Sequence, residues 1–281
     1  MKNVTQRILN FVSPFSTFKP AKFTGPSYET VKKHHSQYLM PFYKTYYSQP
    51  FYAVQGHRQY LYDDKGDQYL DLVGGISCAS VGHCHPRLNK VFAEQAPKLL
   101  HVSQIYYHES QGEYLKALCE SMGDDYDVAF LTNSGSEAND FAYALARMYT
   151  NSEKCFSLRQ SYHGIMGNAY SLSCMKNWNS GMPKLNEVQN LAWPNLYRKP
   201  HLTVDQLIAD ADEQMSAASN GKIAGVWAEP IMGAAGIVPL PDGYMPKLYA
   251  LTKKYGGLFI CDEVQTGFGR VGKEFWGFKW K

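Results

Sequence analysis

The feature that most constrains the fold of this chain is an alternation, from Asp127 onward, of short apolar segments with amphipathic helical patterns. Four segments of four or five residues are almost wholly apolar, which is typical of strands that are buried on both faces. Such an alternation predicts an α/β fold with a mostly parallel sheet flanked by helices. The predicted strands are 128–132, 155–158, 224–228 and 258–261.

Helical and turn signals complete this outline. One helix is expected to run from about Tyr244 to Lys254 and to end at Gly256-Gly257. Residues 59–72 alternate around a glycine turn and predict a β-hairpin, and residues 87–121 have helical periodicity with a break near 101–109. Another helix, opened by Ser134, is expected to bury a face made of Ala138, Phe141, Ala142, Leu145 and Ala146.

Composition excludes several classes of protein. The net charge of the 281 residues is +3, which is too small to favour nucleic acid or an anionic membrane as a partner. No apolar run approaches the ~20 residues of a membrane-spanning helix. The six cysteines form no Cys-x-x-Cys pair, which favours reduced thiols. The consecutive residues His83-Cys84-His85 cannot readily all face one ion, so we expect no metal site there.

The first 28 residues differ in composition from the rest of the chain. They contain no Asp or Glu and several Ser and Thr, and their apolar residues Ile8, Leu9, Phe11 and Val12 can share one face of a short helix. This composition is typical of a mitochondrial transit peptide, and it lacks the long apolar centre of a secretory signal. A disordered leader without a targeting role remains the alternative. We therefore predict a leader over 1–28 and a mitochondrial location.

Polar side chains follow the predicted strands at the points where those strands end. Because the carboxyl ends of parallel strands meet at one edge of a sheet, these groups should lie close together at a ligand site. Each group alone could be a helix cap, a turn, a strand stop or a solvated acidic pair, but their common position favours a site. The groups are 133–137, 162–164, 229–230 and 262–265.

The chemistry of these groups suggests one cofactor. Ser134-Gly135-Ser136 at a helix start offers N–H groups, hydroxyls and the positive end of the helix dipole to a phosphate, although plain N-capping would use the same residues. Tyr162 could lie flat on a planar ring. Asp262 follows a buried strand, where a charged carboxylate needs a cationic partner such as a protonated ring nitrogen. A phosphate, a flat ring and a protonated nitrogen together describe pyridoxal 5'-phosphate (PLP).

Several motifs in residues 40–278 resemble those of the class III aminotransferases, which are fold-type I PLP enzymes. The most specific is Asp-Glu-Val-Gln-Thr-Gly-Phe-Gly-Arg at 262–270, and the others are at 69–71, 82–86, 133–139, 161–164 and 228–231. The resemblance implies transfer of an amino group between an alanine-like amino acid and a glyoxylate-like oxo acid. It also implies a homodimer, with neither a nucleic-acid partner nor a membrane span.

The same resemblance implies a role for each site residue. Gly135 and Ser136 would bind the phosphate, and Tyr162 would stack on the ring with His163 in the same turn. Asp262 would hold the ring nitrogen and keep it protonated. The remaining implied residues are Val264 on the other ring face, Gln265 at the phenolic oxygen and Glu229 on the substrate side.

The sequence departs from the family pattern at the Schiff-base lysine, which the family places beyond the next strand in an Ala/Ser-Lys-Gly type context. Lys273, Lys279 and Lys281 lack that context, so we predict that the catalytic lysine is absent, together with the C-terminal small domain. Three alternatives stay open: a piece of an active mitochondrial aminotransferase, a non-catalytic paralogue with a structural or dimerisation role, and a related reaction such as decarboxylation. The resemblance implies that the 82–86 motif belongs to a loop at the mouth of the site, which we call the access loop. The predicted organisation is the leader over 1–28, a segment with the hairpin and the access loop over 29–100, and a partial large PLP-binding domain over 101–281.

Overall fold

The computed structural model describes residues 18–41, 45–175 and 181–280. The chain divides into two compact units, Met1–Ser103 and Gln104–Lys281. Most of the predicted leader, including its apolar residues 8–12, lies outside the described residues. Within the described parts of the chain, no helix is long and apolar enough to span a membrane.

The first unit contains a three-stranded antiparallel sheet in the order β1-β2-β3. Strands β2 and β3 form the hairpin that the alternation predicted, and β1 adds a strand on the other side of β2. The strands are β1 Gln55–His57, β2 Tyr60–Tyr62 and β3 Gln68–Leu70, and the helices of this unit are α1 Tyr28–Tyr38, α2 Gly74–Ser77 and α3 Pro86–Gln95.

The two histidines of the 82–86 motif have partners in the first unit. Nε2 of His83 lies 2.6 Å from Oδ2 of Asp71, whose other oxygen accepts the N–H of Gly74. Nδ1 of His85 accepts the N–H of Arg87 and so caps α3. Across the described residues, no group of three or more His, Cys, Asp and Glu side chains is arranged to hold a metal ion.

The second unit is built on a four-stranded parallel sheet, which confirms the predicted fold class. The strands are β4 Cys155–Leu158, β5 Val188–Leu191, β6 Gly225–Ala228 and β9 Leu258–Cys261, in the order β5-β4-β6-β9, beside a hairpin of β7 Ile231–Met232 and β8 Val238–Pro239. The helices are α4 Glu109–Met122, α5 Gly135–Thr150, α6 Ala169–Leu172, α7 Val204–Ala218 and α8 Tyr244–Lys254, followed by a 3₁₀ turn, Gly277–Lys279.

Helices cover both faces of this sheet, and the strand residues alternate between them. Phe156 and Val226 belong to a buried cluster with residues of α7 and α8. Cys155 and Trp227 belong to a second cluster with residues of α5, where the rings of Trp227 and Tyr143 lie 6.2 Å apart. Burial on both faces explains why these strands read as continuous apolar runs in the sequence.

Two predictions about the second unit are wrong. Residues 128–132 pair with no strand in the described part of the chain, and the side chain of Val128 is 88% exposed. Helix α5 forms as expected, but Phe141 and Leu145 are exposed. The face of α5 that lies against the sheet is instead made of Asn139, Tyr143, Ala146 and Thr150. Contacts with the sheet, rather than the most apolar stripe, determine which face of this helix is buried.

Candidate active site

A cavity of about 190 Å³ lies where β4, β6 and β9 end and α5 begins. All eight residues expected at the site line it, and their roles toward a ligand remain predictions. Five further residues also line it; Ser134 belongs to the predicted phosphate site, and the other four had no role assigned from the sequence. The lining residues are Ser134, Gly135, Ser136, Asn139, Tyr162, His163, Gly164, Glu229, Ile231, Asp262, Val264, Gln265 and Thr266.

The first turn of α5 presents hydrogen-bond donors to the cavity. Oγ of Ser134 accepts the N–H of Glu137 at 3.2 Å and caps the helix. This leaves the N–H groups of Gly135 and Ser136, for which a helix offers no carbonyl acceptor. These donors, together with the positive end of the helix dipole, favour binding of an anion such as a phosphate.

Glycines allow the neighbouring loops to approach this turn closely. Gly164 has a φ of +129°, and a Cβ there would lie 2.6 Å from Oγ of Ser136. That hydroxyl oxygen accepts the N–H of Ile165 at 3.3 Å, so its own proton is available for another acceptor. A Cβ on Gly135 would lie 2.7 Å from Cγ2 of Val264. Only glycine fits at these two positions without displacing a neighbour.

Asp262 is a buried carboxylic acid of the cavity. Its Oδ2 accepts hydrogen bonds from Nδ2 of Asn139 and from Nδ1 of His163, both at 2.8 Å. Its Oδ1 accepts the N–H of Val264 at 3.0 Å. Burial acts to raise the pKa of the carboxyl, but these hydrogen bonds, with that from His163 foremost, hold its pKa below the usual value. Asp262 is therefore an ionised carboxylate.

The partners of Asp262 leave one of its acceptor positions open. Nε2 of His163 is buried and has no hydrogen-bond partner among the described residues. Asn139 and the Val264 amide are uncharged donors. A carboxylate offers about four acceptor positions, of which three are filled here, so Oδ1 retains one for a donor in the cavity.

Glu229 follows β6 and is also buried, but its environment differs from that of Asp262. Oε1 accepts the N–H of Tyr162, and Oε2 accepts the N–H of Gly233, both at 3.0 Å. Burial is the largest influence and raises the pKa of this carboxyl despite the two hydrogen bonds. Glu229 thus fixes the turn that carries Tyr162, and it holds a proton more readily than Asp262 does.

Three other lining residues are Gln265, Ile231 and Thr266. Gln265 lies against Gly233, Ile231 begins β7, and Thr266 shares the carboxylate of Glu263 with Gly277. The side-chain amide of Gln265 lies where a Cβ on Gly233 would be, so glycine is required there. Thr266 donates from Oγ1 to Oε2 of Glu263, which also accepts the N–H of Gly277. Ile231 begins β7 directly after the Glu229-Pro230 pair.

Asn139 is the most informative of the residues that had no role assigned from the sequence, although it ends the 133–139 motif. It lies one helical turn after Gly135, and its side chain donates to the Gly135 carbonyl at 3.1 Å as well as to Asp262. A signal for it was present, because Asn139, Tyr143, Ala146 and Thr150 share the spacing of one helix face. An apolar stripe elsewhere on the helix concealed that signal.

The residues present fit PLP. A helix N-terminus with free donors suits the phosphate, and an ionised buried carboxylate with one open acceptor position suits a protonated ring nitrogen. Tyr162 and Val264 line the same cavity. No lysine is among the described residues that line the cavity.

A parallel sheet with these groups at its carboxyl edge defines a fold-type I PLP transferase. The chain belongs to the class III aminotransferases, since the sequence model described as "Aminotransferase class-III" matches residues 43–281. Enzymes of this class use PLP.

Curated relatives refine the comparison. The chain is 34% identical to mitochondrial alanine–glyoxylate aminotransferase 2 of Homo sapiens, over 95% of this chain and 56% of that protein. It is 35% identical to the mitochondrial alanine–glyoxylate aminotransferase 2 homolog 2 of Arabidopsis thaliana, with 95% and 55% covered. Residues 193–198 and 275–278 resemble alanine–glyoxylate aminotransferase 2 in particular among the class III enzymes, and these matches confirm that resemblance. The chain spans little more than half the length of these relatives.

Solved structures share the fold. An (S)-enantioselective omega-transaminase from Thermomicrobium roseum is 30% identical, with a TM-score of 0.83 over 92% of this chain and 61% of that one. A taurine:2-oxoglutarate aminotransferase from Bifidobacterium kashiwanohense, solved in complex with PLP and glutamate, is 29% identical. Its TM-score is 0.81, over 92% of this chain and 60% of that structure.

Proposed function

We propose that the cavity of this chain binds PLP and serves transamination between an alanine-like amino acid and a glyoxylate-like oxo acid. The observation that carries the proposal is the ionised carboxylate of Asp262, which is buried and has one acceptor position open. A buried charge of this kind is costly unless a partner of opposite sign completes the site. A protonated pyridine nitrogen is such a partner.

Each side of the cavity would contribute to holding the cofactor. Gly135 and Ser136 would donate to the phosphate from the first turn of α5, and Tyr162 and Val264 would enclose the ring. Asp262 would keep the ring nitrogen protonated. When bound, PLP supplies an electron sink for the substrate α-carbon, which is the basis of its chemistry.

Three further residues would complete this arrangement. His163 orients the carboxylate of Asp262, and Gln265 would approach the phenolic oxygen of the cofactor. We assign Glu229 to the substrate side of the cofactor. Its carboxylate accepts the N–H groups of Tyr162 and Gly233 and so keeps the turn that carries Tyr162 in place.

The catalytic lysine is proposed to lie outside these 281 residues, since Lys273, Lys279 and Lys281 lack the family context. The substrate-binding arginine and the other half of a homodimer would then also come from elsewhere in the complete assembly. The mitochondrial names of the relatives and the acid-free residues 1–28 support a mitochondrial location. The proposed organisation remains a leader over 1–28, a segment over 29–100 and a partial large domain over 101–281.

A non-catalytic paralogue is the second candidate; no lysine is among the described residues that line the cavity. Such a protein would retain the cavity for a structural or dimerisation role. The two candidates agree on cofactor binding and differ in chemistry.

Titration of the full 281-residue chain with pyridoxamine 5'-phosphate tests the proposal. This ligand needs no lysine, so its affinity reports on the cavity alone. We expect saturable binding at a 1:1 ratio, weakened about 10- to 100-fold by Ser136→Ala because one hydrogen bond to the charged phosphate, worth about 1.5–3 kcal/mol, is lost. The matched control is Ser152→Ala, since Ser152 donates to the Lys222 carbonyl far from the cavity.

Borohydride reduction of the chain mixed with PLP tests whether one of its lysines forms a Schiff base with the cofactor. We expect no single lysine to be labelled stoichiometrically. Stoichiometric labelling of Lys273, Lys279 or Lys281 would refute the absence of the nucleophile, and failure of pyridoxamine 5'-phosphate to bind would refute the cofactor assignment.

A further inference from the structure

We propose that Asn139 is a positioning residue that, with His163, occupies Oδ2 of Asp262 and so directs Oδ1 toward the ring nitrogen of the cofactor. The inference rests on the proposed function, since it assigns a ligand to the open position of Asp262. It goes beyond that function in naming the residue that selects which carboxylate oxygen receives the ligand.

The first step of the argument is the pattern of hydrogen bonds on the carboxylate. Oδ2 has two acceptor positions, and the donors on Asn139 and His163 fill both at 2.8 Å. Oδ1 has one donor, the Val264 amide at 3.0 Å. An N–H group that enters the cavity therefore finds its acceptor on Oδ1.

The second step is that Asn139 ties the carboxylate to the anion-binding turn. Its Nδ2 carries two protons, and one goes to the Gly135 carbonyl at 3.1 Å while the other goes to Asp262. Gly135 belongs to the turn that would bind the phosphate. One side chain thus sets the separation between the two groups that hold opposite ends of the cofactor.

The third step is burial. Asn139 is 5% exposed and Asp262 is 7% exposed, so water cannot readily replace the amide as a donor. The amide is also uncharged, and it holds the carboxylate without neutralising it. A Lys or Arg at this position would satisfy Asp262 and remove its need for a cationic ligand.

The test compares two ligands that differ only at the ring nitrogen. The first is pyridoxamine 5'-phosphate, and the second is its 1-deaza analogue, in which a C–H group replaces the nitrogen. Dissociation constants for the full chain are measured with the wild type, with Asn139→Leu and with a matched Asn190→Leu control. The amide of Asn190 donates to Oγ of Ser157 at 2.7 Å, outside the cavity.

We expect Asn139→Leu to weaken binding of pyridoxamine 5'-phosphate at least tenfold, about 1.4 kcal/mol, and to change binding of the deaza analogue less than twofold. Asn190→Leu should leave the ratio of the two constants unchanged. Where thermal unfolding shows that Asn139→Leu does not fold, Asn139→Ala is measured in its place and should give the same selective loss.

The two proposals fail in different ways. An equal loss for both ligands, which leaves the ratio of their dissociation constants unchanged, would show that Asn139 is only structural. Unchanged affinity for both ligands would show that Asn139 does not position Asp262. If the wild type itself does not prefer the ligand with the ring nitrogen, the assignment of Asp262 in the proposed function is wrong.

Discussion

Replacement of Asp262 by Asn is the sharpest perturbation that this cavity allows, because it removes the charge and changes the volume very little. If the amide oxygen takes the place of Oδ2, it still accepts from Asn139 and His163. The NH₂ group then takes the place of Oδ1, where it faces the N–H of Val264 and the open cavity. This NH₂ group would then face two other donors, the N–H of Val264 and the protonated ring nitrogen of the ligand.

The magnitude follows from the bonds that are lost. A hydrogen bond to a charged group contributes about 1.5–3 kcal/mol, so the affinity for pyridoxamine 5'-phosphate should fall about 10- to 100-fold. The assay is a titration of the full chain followed by tryptophan fluorescence or calorimetry. Asp212→Asn is the matched control, because Asp212 pairs with Lys254 outside the cavity and should not affect binding.

The same variant has a signature in acid. The pKa of Asp262 is lower in the folded than in the unfolded chain, so its contribution to stability is present above the unfolded value near 3.8. That contribution is lost as the pH falls through the lower folded value. The wild type should therefore lose more stability than Asp262→Asn in this acid range, as measured by urea unfolding. Wild-type affinity in the Asn variant would refute the assignment of Asp262.

Two further substitutions test the surroundings of the cavity. For Glu229→Gln, the raised pKa of Glu229 means that its stabilising contribution is full below the unfolded value near 4.5 and is lost as the pH rises through the folded value. As the pH rises above about 4.5, the free energy of unfolding should fall less for the Gln variant than for the wild type, and parallel curves would contradict this. Gly164→Ala should destabilise the protein by about 1–3 kcal/mol in thermal or urea unfolding, since φ is +129° and the new Cβ would overlap Ser136. The control is Gly112→Ala in α4, because nothing lies within 4 Å of the added Cβ. This control should stabilise the protein by about 0.5–1 kcal/mol. A similar effect of both substitutions would contradict the packing argument.

The strands that sequence predicted best are those whose surroundings are uniform. Strands β4 and β9 were located to the residue because both faces are covered, so their apolar character does not depend on register. Strand β5 was missed because Gln189 and Asn190 interrupt its apolar pattern; Asn190 satisfies its amide through Ser157. Local composition carries no information about such a partner, which is distant in sequence.

The wrong predictions have the same origin. Residues 128–132 are as apolar as a buried strand, yet strand formation requires a neighbour to accept and donate hydrogen bonds, and the described chain supplies none there. In α5 the exposed Phe141 and Leu145 outweighed the buried Asn139 in the sequence pattern. Polar residues that are buried for a ligand site are the ones that hydrophobic periodicity conceals.

The site residues were found more readily than the packing because their positions follow from topology. Parallel strands end at one edge, so the residues after β4, β6 and β9 converge whatever the details of the core. The hydrogen bonds that Asp262 accepts from Asn139 and His163 could not be found in this way. They depend on side chains from α5 and from the turn after β4, whose rotamers the sequence does not reveal.

The large sequence separation of these two hydrogen bonds of Asp262 has a consequence for the kinetics of folding. Asp262 meets His163 across 99 residues and Asn139 across 123 residues, and within the described part of the chain β9 pairs with β6 alone. Contacts between residues so far apart in sequence form slowly because the intervening loop must close first. During synthesis, a chain that has not yet extended past β9 holds the helix N-terminus but not the carboxylate of Asp262. Affinity for the complete cofactor should therefore arise only when β9 has joined the sheet, so ligand binding can report on that step of folding.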